Sequence, residues 1–242
     1  MKQFMAMLAG LAMACATHAQ YDAGATVGLG QGALLNNQVI GSNVMGDVIA
    51  HQARGAAPES RTAMPVAERD LAALRYRPSA AVSQSVLDRV AQQFGGNHSS
   101  EYRQALVRDG VLNKFDTLLR DYGFANRNVA DAFTAYLVLS WEVVNDRDAD
   151  AYRGGIDALR THMRAAMARN PRIAALADAQ KQELAETFGY LAMIAAGTRN
   201  QLERSGDRAA LARLQDGVNS TARKMGVDLR AVAMTPQGFV AR

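Results

Sequence analysis

The chain has 242 residues, of which 49% are hydrophobic and 21% are charged, and its formal net charge is +4. Its 27 lysines and arginines are interspersed with 23 acidic residues and are not clustered, so the sequence has no basic footprint for nucleic acid or a membrane surface. We therefore expect no nucleic-acid partner. The chain is long enough to bury one sizeable hydrophobic core.

The first 19 residues have the pattern of a secretory signal peptide. Lys2 is followed by an apolar run over residues 5–16 and then by the small residue Ala19. This run is shorter than the roughly 20 residues that a membrane-spanning helix needs. We expect cleavage after Ala19, no transmembrane segment in the mature chain, and a periplasmic or secreted location. A retained N-terminal anchor or a buried helix is the alternative interpretation.

The single cysteine, Cys15, lies inside this signal. A lipoprotein would need Cys15 as its first mature residue, with a branched apolar residue three places earlier. The sequence has Ala12 there, and Leu11 lies one place too early. We expect no lipid attachment at Cys15. Cleavage after Ala19 leaves a mature chain without a thiol, which excludes disulfides and thiolate metal sites.

Residues 20–63 are rich in glycine, alanine, asparagine and glutamine and have no sustained hydrophobic period. This composition predicts a disordered tail or linker, within which residues 34–53 could hold a short helix or strand.

The pattern of residues 64–242 predicts a helical domain. The expected fold class is all-α, a single bundle of about seven helices. The predicted helices cover residues 79–94, 99–109, 111–122, 128–145, 148–169, 178–204 and 207–225. We expect a loop at 235–239 and no strand.

The helix predicted over residues 128–145 has the clearest pattern. Asn128 is a good N-cap residue, and apolar residues follow it at helical spacing on nearly all faces. Such a helix is packed on several sides, so we expect it at the centre of the domain. It carries the only tryptophan, Trp141.

Polar residues on this central helix are the first candidates for a binding site: Asp131, Tyr136, Trp141 and Glu142. Asp131 and Glu142 share a helix face about 16 Å apart, which is too wide for a pair of catalytic carboxylates. The simpler interpretation of Asp131 is a first-turn acid that the helix dipole favours. The same interpretation applies to Glu183 and Glu186 near the start of the 178–204 helix.

A second candidate is a metal site in the turn before the 148–169 helix. Asp146, Asp148 and Asp150 have the spacing that opens a calcium loop, but Ala151 stands where that loop needs glycine. The alternative interpretation is an acidic turn that caps the following helix. The pair Gly154-Gly155 costs about 1 kcal/mol per glycine inside a helix. Either the helix begins later, at Gly155 or Ile156, or the pair lets a neighbouring helix approach closely.

The sequence contains no recognisable catalytic or cofactor motif. His51, His98 and His162 have no second histidine or cysteine at metal-ligand spacing, and the glycines of residues 28–32 neither follow a strand nor open a helix. We therefore expect no cofactor.

Several segments resemble a family of uncharacterised exported bacterial helical proteins, classed as a domain of unknown function. The longest follows the pattern NVADAxxAYxxxxW and covers residues 128–141. The resemblance spans about residues 76–240. It implies a helical fold and export, and it supplies no catalytic residues. The other matching segments are residues 76–79, 179–183, 228–229 and 235–239.

These observations favour an exported helical interaction or structural module without catalytic activity, whose partner would be another exported protein. Two alternatives stay open. One is an enzyme with an unrecognised helical active site around Asp131, Tyr136 and Glu142, and the other is a helical domain that binds calcium or a small ligand.

Overall fold

The computed structural model describes residues 71–242. The predicted signal peptide, the Cys15 and His51 positions and the predicted disordered segment lie outside these residues. The described chain is mainly α-helical and ends in a short antiparallel hairpin. Its elements are α1 (Ala80–Gly95), α2 (Ser99–Arg108), α3 (Val111–Asp121), α4 (Val129–Asn145), α5 (Arg153–Arg169), α6 (Pro171–Ala174), α7 (Asp178–Ser205), α8 (Arg208–Lys224), β1 (Val232–Thr235) and β2 (Gly238–Ala241).

Helix α4 is the central helix, as its sequence predicts. The Asn128 side chain accepts hydrogen bonds from the backbone N–H groups of Ala130 and Asp131, which satisfies two of the free donors at this helix end. All residues of α4 except Glu142 and Asn145 are buried. The helix packs against α3, α5, α7 and α8, and α7 also packs against α1 and α3.

The expectation of a loop at residues 235–239, with no strand, is wrong. Residues 232–241 form a hairpin in which Val232 pairs with Ala241 and Met234 with Phe239. Strands of four residues are at the lower limit of length at which an alternating pattern can be recognised. The hairpin is stabilised by packing instead, because Val232, Met234 and Phe239 are all buried.

Helix α5 meets this hairpin at Gly155. A Cβ atom at that position would lie 1.9 Å from the Thr235 carbonyl oxygen, so only glycine fits. The glycine pair does permit a close approach, but the approaching element is the hairpin and not a helix. The helix begins at Arg153, before the pair and after a short 3₁₀ turn at Asp150–Tyr152.

Within residues 71–242, none of the helices is both long and apolar enough to cross a membrane.

Candidate functional site

Asp131 is fully buried and is the centre of an ion-pair cluster. Its carboxylate accepts hydrogen bonds from Arg164 at 2.6 and 2.5 Å and from Arg160 at 3.3 and 3.2 Å. It also accepts the backbone N–H of Ala125 at 2.6 Å. These contacts join α4 to α5 and to the loop before α4. We call this cluster of Asp131, Arg160 and Arg164 the clasp between α4 and α5. Asp131 therefore has a structural role in addition to the interaction with the helix dipole that the sequence indicates.

Tyr136 and Trp141 are both in the core. The Tyr136 ring lies 5.3 Å from the ring of Phe188 on α7. The Trp141 indole donates a hydrogen bond to the Val232 carbonyl at 3.1 Å, and its ring is 6.3 Å from that of Phe239. Trp141 thus holds the hairpin against α4. The four candidates on α4 have separate partners, and none of them lines the cavity between α3, α4 and α7.

The three aspartates of the acidic turn also have separate partners. Asp146 accepts a hydrogen bond from Arg199 at 2.6 Å, Asp148 accepts the backbone N–H of Asp150 at 2.8 Å, and Asp150 accepts the Tyr122 hydroxyl. Among residues 71–242, no group of three or more potential metal ligands comes together. The calcium site is a prediction from the sequence alone, and the contacts of these three aspartates do not add support to it.

Glu142 caps the turn that follows α4. Its carboxylate accepts the backbone N–H of Ala149 at 2.7 Å. Burial raises the pKa of Glu142 from 4.5 to about 7, against the lowering effect of the Ala149 hydrogen bond. This carboxyl therefore holds its proton more tightly in the folded chain than in the unfolded chain.

Glu142 makes stability depend on pH in a defined window. Its stabilising contribution is complete below pH 4.5 and is lost as the pH rises to about 7. Glu142→Gln removes this loss, so the free energy of unfolding of the variant should gain about 3 kcal/mol on the parent between pH 4.5 and 8. Urea unfolding at several pH values measures this gain. The exposed Glu101→Gln variant is the control, and a constant difference between Glu142→Gln and the parent would contradict the assignment.

A cavity of about 160 Å³ lies between the segment before α1 and helices α3, α4 and α7. Four polar side chains line it: Tyr76, Asp116, Arg127 and Glu186. The rest of its wall is apolar and is formed by Pro78, Leu112, Phe115, Leu119, Ala132 and Ala185.

Backbone pairing positions two of these polar residues. The Tyr76 N–H donates to the Arg127 carbonyl at 3.1 Å, and the Val129 N–H donates to the Leu74 carbonyl at 3.0 Å. Arg127 has a φ of 62°, in the left-handed region that non-glycine residues rarely adopt. Asp146 in the acidic turn has a φ of 50° in the same region, so this conformation does not by itself distinguish the cavity.

Helices α3 and α7 supply the two carboxylates, and their close contact depends on Gly189. A Cβ atom at Gly189 would lie 2.7 Å from the Phe115 ring, so a side chain there would push α3 away from α7. Asp116 on α3 and Glu186 on α7 are thereby brought to the same cavity.

The pKa values of the two carboxyl groups in the cavity are both raised, and both residues are partly buried. Burial raises the pKa of Asp116, which the nearby Arg120 and Arg127 partly oppose. Burial also raises the pKa of Glu186, although hydrogen bonds from Gln182 and Ser83 lower it. These two donors bind Glu186 Oε1 at 2.8 and 2.7 Å, whereas Glu186 Oε2 is buried and accepts no hydrogen bond from the described chain.

Sequence reasoning did not single out this cavity. Asp116 and Arg127 have no motif around them, and the sequence indicates Glu186 only as an ordinary acid near the start of its helix. The one available signal was the segment Tyr76-Arg77-Pro78-Ser79, which belongs to the family resemblance and supplies Tyr76 and Pro78 to the wall.

The family assignment rests on the whole sequence. Residues 1–242 match the model of a family of unknown function, DUF6683. The chain belongs to this family. No curated protein and no solved structure matches it. Membership of DUF6683 agrees with the resemblance in one respect, that the family is one of unknown function. It assigns no activity, so a functional argument must start from the site itself.

Proposed function

We propose that this DUF6683 member is an exported binding module without catalytic activity, and that the cavity around Asp116 and Glu186 is its binding site. The observation that carries the proposal is the cavity itself, about 160 Å³ in volume, with two carboxylates at an apolar wall. Concave, largely apolar sites with a few convergent polar groups are the usual form of ligand pockets.

Export is the part of this proposal that rests on the sequence. Residues 1–19 have the charge, the apolar run and the small terminal residue of a cleavable signal. We expect N-terminal sequencing of protein recovered from a periplasmic fraction or culture medium to begin at Gln20. A mature protein that begins at Met1 would contradict this part of the proposal.

The surface of the described chain favours recognition by a pocket over recognition by an apolar patch. Val107, which is 56% exposed, is the one large hydrophobic side chain classed as exposed in residues 71–242. Partner sites that depend on hydrophobic contact expose contiguous areas of several hundred Å². A partner or ligand that inserts a small group into the cavity fits this surface better.

Thermal denaturation with a panel of small molecules tests the cavity as a binding site. The panel contains amines, guanidines, carboxylates and alcohols of four to seven heavy atoms. A bound ligand at ten times its Kd should stabilise the fold by about 1.4 kcal/mol, or about 3–5 °C in Tm. The Ala185→Leu variant, whose added side chain occupies the cavity, is the control. No shift with any compound, or equal shifts in Ala185→Leu, would contradict the proposal.

A further inference from the structure

We infer that the cavity binds an alkylammonium or alkylguanidinium group, the chemistry at the end of a lysine or arginine side chain, between Asp116 and Glu186. This inference rests on the proposed function and names its ligand class. The source of the cation is either a partner protein or a small free amine.

The charges of the cavity favour a positive ligand. Asp116 and Glu186 come from two different helices, and neither takes part in an ion pair within 4 Å among residues 71–242. Arg127 is the single basic residue of the lining, and it is exposed to solvent. The lining therefore contains two carboxylates and one arginine, and exposure to solvent weakens the interaction of this arginine with the carboxylates.

These charges also act on Tyr76. Burial raises the pKa of the Tyr76 hydroxyl, the negative charges of Glu186 and Asp116 raise it further, and the positive charge of Arg127 lowers it. With two carboxylates and one solvent-exposed arginine, the lining carries more negative than positive charge, which favours a cation over an anion.

One carboxylate oxygen of Glu186 has no hydrogen-bond donor among the described residues, and the carboxylate must turn for a cation in the cavity to reach it, because this oxygen has almost no solvent-accessible surface. Glu186 Oε2 is buried and has no hydrogen-bond donor in the described chain, while Glu186 Oε1 is already occupied by Ser83 and Gln182. Leaving a buried acceptor unsatisfied is unfavourable, and a charged acceptor is worse than a neutral one. Both ammonium and guanidinium groups have several donors and no acceptor, so they complement this oxygen.

The apolar wall suits the alkyl stem. Leu112, Phe115 and Leu119, all on α3, contribute apolar side chains to the lining of the cavity. A cavity of about 150 Å³ accommodates a benzene-sized group, so a headgroup with three or four methylene groups matches the 160 Å³ here. Lysine and arginine side chains combine these two parts in one group.

Isothermal titration of the mature protein tests this inference. The probes are n-butylammonium and n-propylguanidinium, with n-butanol and butyrate as neutral and anionic controls. We expect the cations to bind and the two controls to bind at least about tenfold more weakly. Asp116→Asn and Glu186→Gln should each weaken cation binding about tenfold, which is the effect of losing one charged hydrogen bond.

The exposed Asp121→Asn variant at the end of the same helix α3 is the matched control, and its affinity should equal that of the parent. Butanol or butyrate binding as tightly as the cations, with Ala185→Leu abolishing binding, would overturn the cation assignment and leave the cavity as a binding site. Absence of any binding would overturn both. If Asp116→Asn or Glu186→Gln fails to fold, the comparison of charged and neutral probes on the parent still decides.

Two further probes identify the source of the cation. Blocked tripeptides with lysine or arginine at the centre carry the same headgroups on a backbone. Affinity equal to or above that of the free amines supports insertion of a partner's side chain. Affinity for the free amines alone supports a small-molecule ligand.

Discussion

The variant Asp131→Ala should lower the free energy of unfolding by about 4 kcal/mol, the cost of breaking a buried ion pair from one side. The Asp131 carboxylate is fully buried and accepts hydrogen bonds from two arginines. Its removal leaves Arg160 and Arg164, whose side chains are 20% and 27% exposed, next to each other without a counterion. The Ala125 N–H also loses its acceptor.

Urea unfolding at pH 7 measures this loss, and Tm should fall by about 8–16 °C for a domain of this size. The control is Asp157→Ala on α5, an exposed acid whose side chain is outside the cluster. That variant should change stability by less than about 0.5 kcal/mol. A loss below about 1 kcal/mol for Asp131→Ala would show that the clasp between α4 and α5 is not important for stability.

The second large effect is expected from Gly155→Ala. The new Cβ atom would lie 1.9 Å from the Thr235 carbonyl oxygen and 3.0 Å from its carbon. Backbone atoms of a hairpin cannot rotate away as a flexible side chain can, so the hairpin must move. Displacing the buried side chains of Val232, Met234 and Phe239 should cost about 3 kcal/mol net, even after the gain in helix propensity.

The neighbouring glycine provides a matched control. A Cβ atom at Gly154 is 4.0 Å from its nearest neighbour, the Pro236 carbonyl oxygen. Gly154→Ala should therefore stabilise the protein by up to about 1 kcal/mol. Fluorescence of Trp141, which contacts Phe239, should shift to longer wavelength in Gly155→Ala alone. Equal stability of the two alanine variants would contradict the packing of α5 on the hairpin.

The features that local chemistry determines were predictable from the sequence. The cap at Asn128 and the apolar faces of α4 follow from hydrogen-bond satisfaction and from helical periodicity. The hairpin was not predictable, because its strands of four residues depend on contacts with Trp141 and Gly155 that are distant in the chain.

The same reason explains why the cavity was missed. Tyr76, Asp116, Arg127 and Glu186 are far apart in the sequence, and each has an ordinary local environment. The packing of α3 on α7 at Gly189 brings the two carboxylates together. Conversely, Asp131 was singled out for its place on α4, but its two arginine partners are on α5. A sequence pattern identifies a polar residue on a buried helix without showing whether its partner is a protein group or a ligand.

The most direct test of the cavity as the binding site is an NMR titration of isotope-labelled protein with n-butylammonium. We expect saturable chemical-shift changes concentrated at Tyr76, Phe115, Asp116, Arg127 and Glu186, and we expect these changes to be absent in Ala185→Leu. Changes concentrated elsewhere, for example at the acidic turn of residues 146–150, or no saturable change, would contradict the assignment of the cavity as the site of cation binding.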